Sequence, residues 1–203
     1  GAVISGLLAL YFMHSIYRIK ARPFWDHWQV LTAFYGSMLV LGPLLVVLVF
    51  AGIQIYNGQP WSETAAQLAM IMLIGLLMEA AGLVFHARDL KSGDGEGQAS
   101  YYAQVTTFGN TYVARNTGLV LGMMLLPGLA ASAPGGMSGL LLWSAVALIL
   151  TATAVLGRAL FYALVIPTTM PGAFFWRNKG FEEHARATGL AQMPQAGVLP
   201  DCH

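Results

Sequence analysis

Residues 29–52 read QVLTAFYGSMLVLGPLLVVLVFAG, with no Asp, Glu, Lys, Arg or His among them. A helix that crosses a bilayer needs roughly 20 consecutive apolar residues, and this run supplies them. Towards the N-terminus, a basic, aromatic connector at 18–28 (RIKARPFWDHW) separates it from a span at 1–17, which begins GAVISGLLALYFMHSI. No basic n-region precedes that stretch, so it reads as a span and not as a secretory signal. It opens as if in mid-helix, and further spans are expected upstream. Towards the C-terminus, a loop at 53–63 (IQIYNGQPWSE) leads to a span at 64–86. The longest connector, 87–116, holds KSGDGEGQ and the aromatic YYAQVTTFGNTYVARN. A span at 117–131, a turn at 132–137 (SAPGGM) and a long span at 138–166 follow. Pro167 cannot continue the last helix. The expected fold class is all-α: a polytopic transmembrane helix bundle of about five spans over residues 1–170, then a tail at 171–203.

Composition agrees with this reading. Hydrophobic residues make up 57% of the 203 and charged residues 9%, where a soluble domain carries about a quarter charged. A single cysteine, Cys202, excludes a disulfide framework, a Cys-ligated iron–sulfur cluster and a CxxCH haem attachment within these residues.

The placement of charge orients the bundle. Arg18, Lys20 and Arg22 follow the first span, Arg88, Lys91 and Arg115 the third, and Arg177, Lys179 and Arg186 the fifth. The loops on the other face, 53–63 and 132–137, contain no Lys or Arg. The basic face, and with it the C-terminal tail, is expected in the cytoplasm. Trp25, Trp28, Trp61, Trp176, Tyr17 and Tyr56 fall where an interfacial aromatic belt would lie.

Glu79 (LLMEAAGLVFH) and Arg158 (LGRALFY) lie inside apolar spans. Each sits roughly 10–12 Å below the cytoplasmic edge at 1.5 Å of rise per residue. Ionisable groups in hydrocarbon are costly, face the bundle interior and commonly pair. The two form either a structural ion pair or a polar lining for a bound headgroup with a proton to lose or gain. His14 and His86 close spans that run in the same direction, so their imidazoles reach comparable depth. They are open to three readings: a b-type haem clamp, hydrogen bonding to a quinone, or interface chemistry without function. Tyr17, Arg18, Phe161 and Tyr162 gather rings and guanidinium groups near one face. A quinone needs a flat apolar slot, a donor to its carbonyl oxygen and a proton route to water. The candidate quinone contacts are therefore Arg158, Glu79, His86, Tyr162, His14, Tyr17 and Arg18. No metal-ligand set stands out. In the tail, residues 181–188 (FEEHARAT) suit a short helix ended by Gly189 in a left-handed C-cap.

Four segments carry a family resemblance: YRIKARPFW at 17–25, WQVLTAFYGSMLVLGPLL at 28–45, ARNTGL at 114–119, and LGRALFYALVIPTTM with its tail PGAFFWRNKGFEEHARATGLAQMP at 156–194. Together they resemble the C-terminal five spans of the eight-helix DMSO-reductase-type membrane anchor, the DmsC-like family. The cluster Gly157, Arg158, Phe161 and Tyr162 is the most specific piece. The family pattern usually carries a Glu four residues before that Arg, where this chain has Ala154, and Glu79 is a candidate for the missing carboxylate. The resemblance implies a bacterial cytoplasmic-membrane subunit that holds a molybdopterin catalytic subunit and an iron–sulfur subunit and exchanges electrons with ubiquinone or menaquinone. It implies no haem and no nucleic-acid partner. Partner subunits of the family dock on the face where the spans at 1–17, 64–86 and 138–166 end. Here that is the basic, cytoplasmic face, as in the sulfite-oxidising branch. Trp176, Arg177, Lys179, Phe181 and Arg186 are the candidate docking residues. Within the same class, the anchor of a quinol-oxidising DMSO-type reductase or of another cytoplasmic molybdoenzyme stays open. From other classes, a small-solute transporter and a haem b subunit stay open; against a transporter, no internal repeat is visible.

Overall fold

The computed structural model describes residues 1–93, 96–166, 183–184 and 186–189. Six helices follow one another: α1 Ala2–Tyr17, α2 Gln29–Tyr56, α3 Ser62–Ser92, α4 Glu96–Val105, α5 Gly109–Ser132 and α6 Gly136–Ala163. No strand occurs among the described residues. Four of the helices, α2, α3, α5 and α6, are long and apolar enough to cross a membrane. They close into a ring, α2 on α3, α3 on α5, α5 on α6 and α6 on α2. At 16 residues α1 is shorter than the roughly 20 that a crossing requires. It rests on α2 with Val3, Ile4, Leu8 and Phe12 turned outward.

The helices overrun the apolar stretches that announce them. α2 continues to Tyr56, α3 continues to Ser92, and α5 begins at Gly109. The expected connector at 87–116 is thus largely helical, α4 included. Hydropathy does not reveal α4, because its sequence, EGQASYYAQV, is mixed. It is held by one small-residue face, Gly97, Ala99, Ser100 and Gln104 being buried, against α3 and α5. At the other limit, α6 stops at Ala163. Pro167 has no N–H to give the Ala163 carbonyl, the bond that would have extended the helix.

Small residues set the spacing within the ring. A Cβ on Gly75 would stand 2.8 Å from the Gly36 carbonyl oxygen, so α2 and α3 meet backbone to backbone, as helices in lipid commonly do. A Cβ on Gly118 would collide with Thr153 Oγ1, which brings α5 equally close to α6.

Two apolar clusters fill the interior. One includes Val40, Met72, Leu76, Leu126, Trp143 and Leu150. The other is built on Phe24, Trp25, Phe34, Leu90, Leu160 and Phe161. Along α3 the first cluster ends at Leu76 and the second begins at Leu90; along α6 they meet between Leu150 and Leu160. The buried polar residues Glu79 and His86 of α3 and Thr153 of α6 fall in these gaps, as does Arg158 of α6. A polar layer therefore separates the two apolar ones.

In the tail, Glu183, His184, Arg186 and Ala187 are helical, and the Thr188 N–H donates to the His184 carbonyl at 2.9 Å. Gly189 follows at φ 75°, the left-handed stop expected there. Trp176, Arg177, Lys179 and Phe181 lie outside the described residues; Arg186 is exposed.

Candidate functional site: a charged cavity between two apolar layers

Glu79 is 7% exposed and Arg115 4%. With Arg158 they face a cavity of about 20 Å³ that Gln29, Ser37 and Gly157 also line. Gly157 of α6 faces the carboxylate: a Cβ there would lie 3.7 Å from Glu79 Oε1, an ordinary contact. Arg158 is held elsewhere on its own side of the cavity. Its Nη2 donates to the Ala33 carbonyl at 3.4 Å and to Ser37 Oγ at 3.5 Å, and its guanidinium lies 4.1 Å from the centre of the Phe34 ring, a cation–π contact. Arg115 Nε donates to Asn116 Oδ1 at 2.9 Å, with the Tyr112 ring 5.2 Å from the guanidinium.

The direct Glu79–Arg158 ion pair does not form. Among the described residues no Lys, Arg or His nitrogen comes within 4.0 Å of a Glu79 oxygen. A carboxylate flanked by two guanidinium groups, Arg115 and Arg158, takes its place. Sequence reasoning missed Arg115 because it lies just outside the apolar run at 117–131 and was grouped with the surface cations. The start of α5 at Gly109 carries it indoors. The legible signal was its place in the ARNTGL motif. Ala154 lines the same cavity as Glu79.

Beside Arg158 lies an aromatic layer. Tyr17 stacks on Phe34 at 5.7 Å between ring centres, and the Tyr17 and Tyr162 hydroxyls are hydrogen-bonded at 2.9 Å. Trp25 Nε1 donates to the Phe161 carbonyl at 2.8 Å, which ties the first connector to the end of α6. Tyr162 is 56% exposed, so this layer opens on the surface.

The remaining candidates are dispersed. His86 is 3% exposed, and its Nε2 has no hydrogen-bond partner. The rings it meets are those of Phe24 and His27; His14 is not among them. His14 is buried with its Nδ1 unpartnered. Arg18 turns to the connector, Nε donating to Asp26 Oδ1 at 2.8 Å. Of the seven expected quinone contacts, the structure brings Glu79 and Arg158 to the cavity and Tyr17 and Tyr162 to the adjoining aromatic layer. It places His86, His14 and Arg18 outside both. No group of three or more His, Cys, Asp or Glu that could hold a metal occurs among the described residues.

The dimensions limit what can bind. A cavity of about 20 Å³ accommodates about one water, and a six-membered quinone ring does not fit inside it. The surface at Tyr17 and Tyr162 has an open side, one hydroxyl hydrogen left free by the bond between the two tyrosines, and flat neighbours. Comparison with curated proteins and with solved structures finds no match. The sequence model of the DMSO reductase anchor subunit (DmsC) matches residues 2–164. That match spans the cavity, the aromatic layer and every helix from α1 to α6, and the chain belongs to the DMSO reductase anchor subunit family, the multi-pass membrane anchors of molybdoenzyme complexes.

Proposed function

We propose that this chain is the quinone-interacting anchor of a molybdopterin/iron–sulfur enzyme whose catalytic pair works in the cytoplasm and passes the electrons of sulfite to the quinone pool. The observation that carries the quinone reading is the Tyr17–Tyr162 hydroxyl pair, open to the surface and backed by Arg158 and the Glu79 cavity. Reduction of ubiquinone or menaquinone needs a carbonyl contact and a proton source. The tyrosine hydroxyls offer the first, and Glu79 offers a protonatable group one layer behind. The cytoplasmic placement rests on the eight basic residues that remain on one face once the buried Arg115 is set aside, and sulfite as donor rests on that placement. Molybdopterin and the iron–sulfur clusters belong to the partner subunits, which dock on the basic face with help from the tail.

The test compares Glu79→Gln and Arg158→Leu in the intact complex. Both variants should assemble, keep sulfite oxidation by a soluble dye and lose most sulfite-dependent quinone reduction. A purely structural charge cluster predicts instead that removing one member strands the others at a cost of about 3–5 kcal/mol, so that the complex fails to assemble. Normal assembly with normal quinone reduction refutes the proposed site.

A further inference from the structure

Beyond the cavity, α3 carries two more titratable groups on the same side, His86 and Asp89, and the first connector lays His27 between them. His27 Nε2 lies 2.9 Å from Asp89 Oδ2, and the Gln29 backbone N–H donates to His27 Nδ1 at 3.0 Å. A backbone N–H can only donate, so Nδ1 is the bare nitrogen and Nε2 carries the hydrogen given to Asp89. The pair straddles the edge of the fold: the Asp89 side chain is 60% exposed and that of His27 12%. On its inner side the His27 ring stacks on His86 at 4.9 Å and 29°. The Nε2 of His86 is buried without a partner, which leaves its desolvation uncompensated.

We propose that His27 is a proton shuttle, turning between Asp89 at the aqueous rim and the orphaned His86 Nε2, and so connecting water to the Glu79 cavity. Two features link His86 onward. The Gln29 side chain lies on α3 between His86 and Glu79, its Cγ 3.4 Å from where a Cβ on Gly82 would stand. Gln29, whose backbone fixes the His27 ring, also lines the cavity. Seven residues of helix, roughly 10 Å, separate His86 from Glu79 along α3, and the shuttle requires a water in the cavity, which has room for about one, to cover that distance. The proposal rests on the quinone reading. Conversion of a quinone to its quinol consumes two electrons, supplied one at a time by an iron–sulfur cluster of the partner subunit, and two protons. Each proton passes from water to Asp89, His27, His86 and Glu79, and each group returns to its starting state. Quinol oxidation runs the same chain outward.

The competing role for His27–Asp89 is a tether that holds the connector on α3, and the test separates the two. In the intact membrane complex, dithionite reduces the partner's clusters and their reoxidation by decylubiquinone is followed by electron paramagnetic resonance. His27→Asn and Asp89→Asn should each slow cluster reoxidation at least about tenfold. Imidazole in the medium should restore the first variant and acetate the second, while neither restores Arg158→Leu. The infrared difference spectrum on quinone reduction should contain an imidazole ring band in the wild type that is missing from His27→Asn. Wild-type rates in both variants, or slow rates that imidazole and acetate leave unchanged, overturn the shuttle. If His27→Asn fails to assemble, Asp89→Asn with acetate decides, because that carboxylate is largely exposed. Wild-type clusters that decylubiquinone does not reoxidise overturn the quinone reading itself. A response lost in Arg158→Leu but intact in His27→Asn overturns the shuttle alone.

Discussion

The contact between Gly36 and Gly75 makes a quantitative demand. A Cβ on Gly75 would lie 2.8 Å from the Gly36 carbonyl oxygen, 2.9 Å from Leu39 Cβ and 3.0 Å from Val40 Cγ2. The first two are backbone or Cβ atoms and cannot rotate away. Restoring an ordinary 3.4 Å contact therefore means moving α2 from α3 by about 0.6 Å along a long interface. Overpacking of this kind costs about 1–3 kcal/mol, partly offset by the roughly 1 kcal/mol that alanine gains over glycine in a helix. Gly75→Ala should lower the unfolding free energy by up to about 2 kcal/mol, and should be about 1–3 kcal/mol less stable than an alanine placed at an open helical glycine, read by titration from mild to denaturing detergent. Gly52 on α2 provides the control, since a Cβ there meets nothing within 4 Å; Gly52→Ala should be neutral or stabilising by up to about 1 kcal/mol. The effect should reach the site as well. A Cβ on Gly36 would come within 3.1 Å of Glu79 Cβ, so the crossing that seats the two glycines also seats the carboxylate. A Gly75→Ala chain as stable as the Gly52→Ala chain refutes the tight α2–α3 contact.

Other outcomes are equally specific. A reporter fused after His203 should behave as cytoplasmic, with green fluorescence and inactive alkaline phosphatase; the reverse pattern overturns the orientation and the sulfite assignment together. Deleting residues 180–203 should release the catalytic subunits from isolated membranes, and unchanged retention refutes the docking role of the tail. Trp25→Phe keeps the ring contacts with Tyr17 and Phe161 but removes the bond to the Phe161 carbonyl. A loss of about 1 kcal/mol in the same detergent titration is expected, and no loss would mean that water replaces the indole N–H.

The apolar runs alone determined the all-helical bundle, since lipid leaves a spanning chain few ways to satisfy its backbone. The match of residues 29–52 to α2, and of Glu79 and Arg158 to one polar layer, was legible because helical rise turns sequence position into depth. Depth, however, says nothing about rotation around the helix or about which neighbour a long side chain prefers. Arg158 had the Ala33 carbonyl, Ser37 and the Phe34 face within reach. It took them in preference to Glu79, and no spacing in the sequence encodes that choice. Arg115 was hidden for a related reason: its burial depends on α5 starting eight residues before the apolar run, in a polar segment made helical by packing against α3 and α6. The short α4 and the His27–Asp89 pair are likewise products of assembly. They join residues far apart in the chain, where hydropathy carries no signal and only the arrangement of the helices in space decides which groups meet.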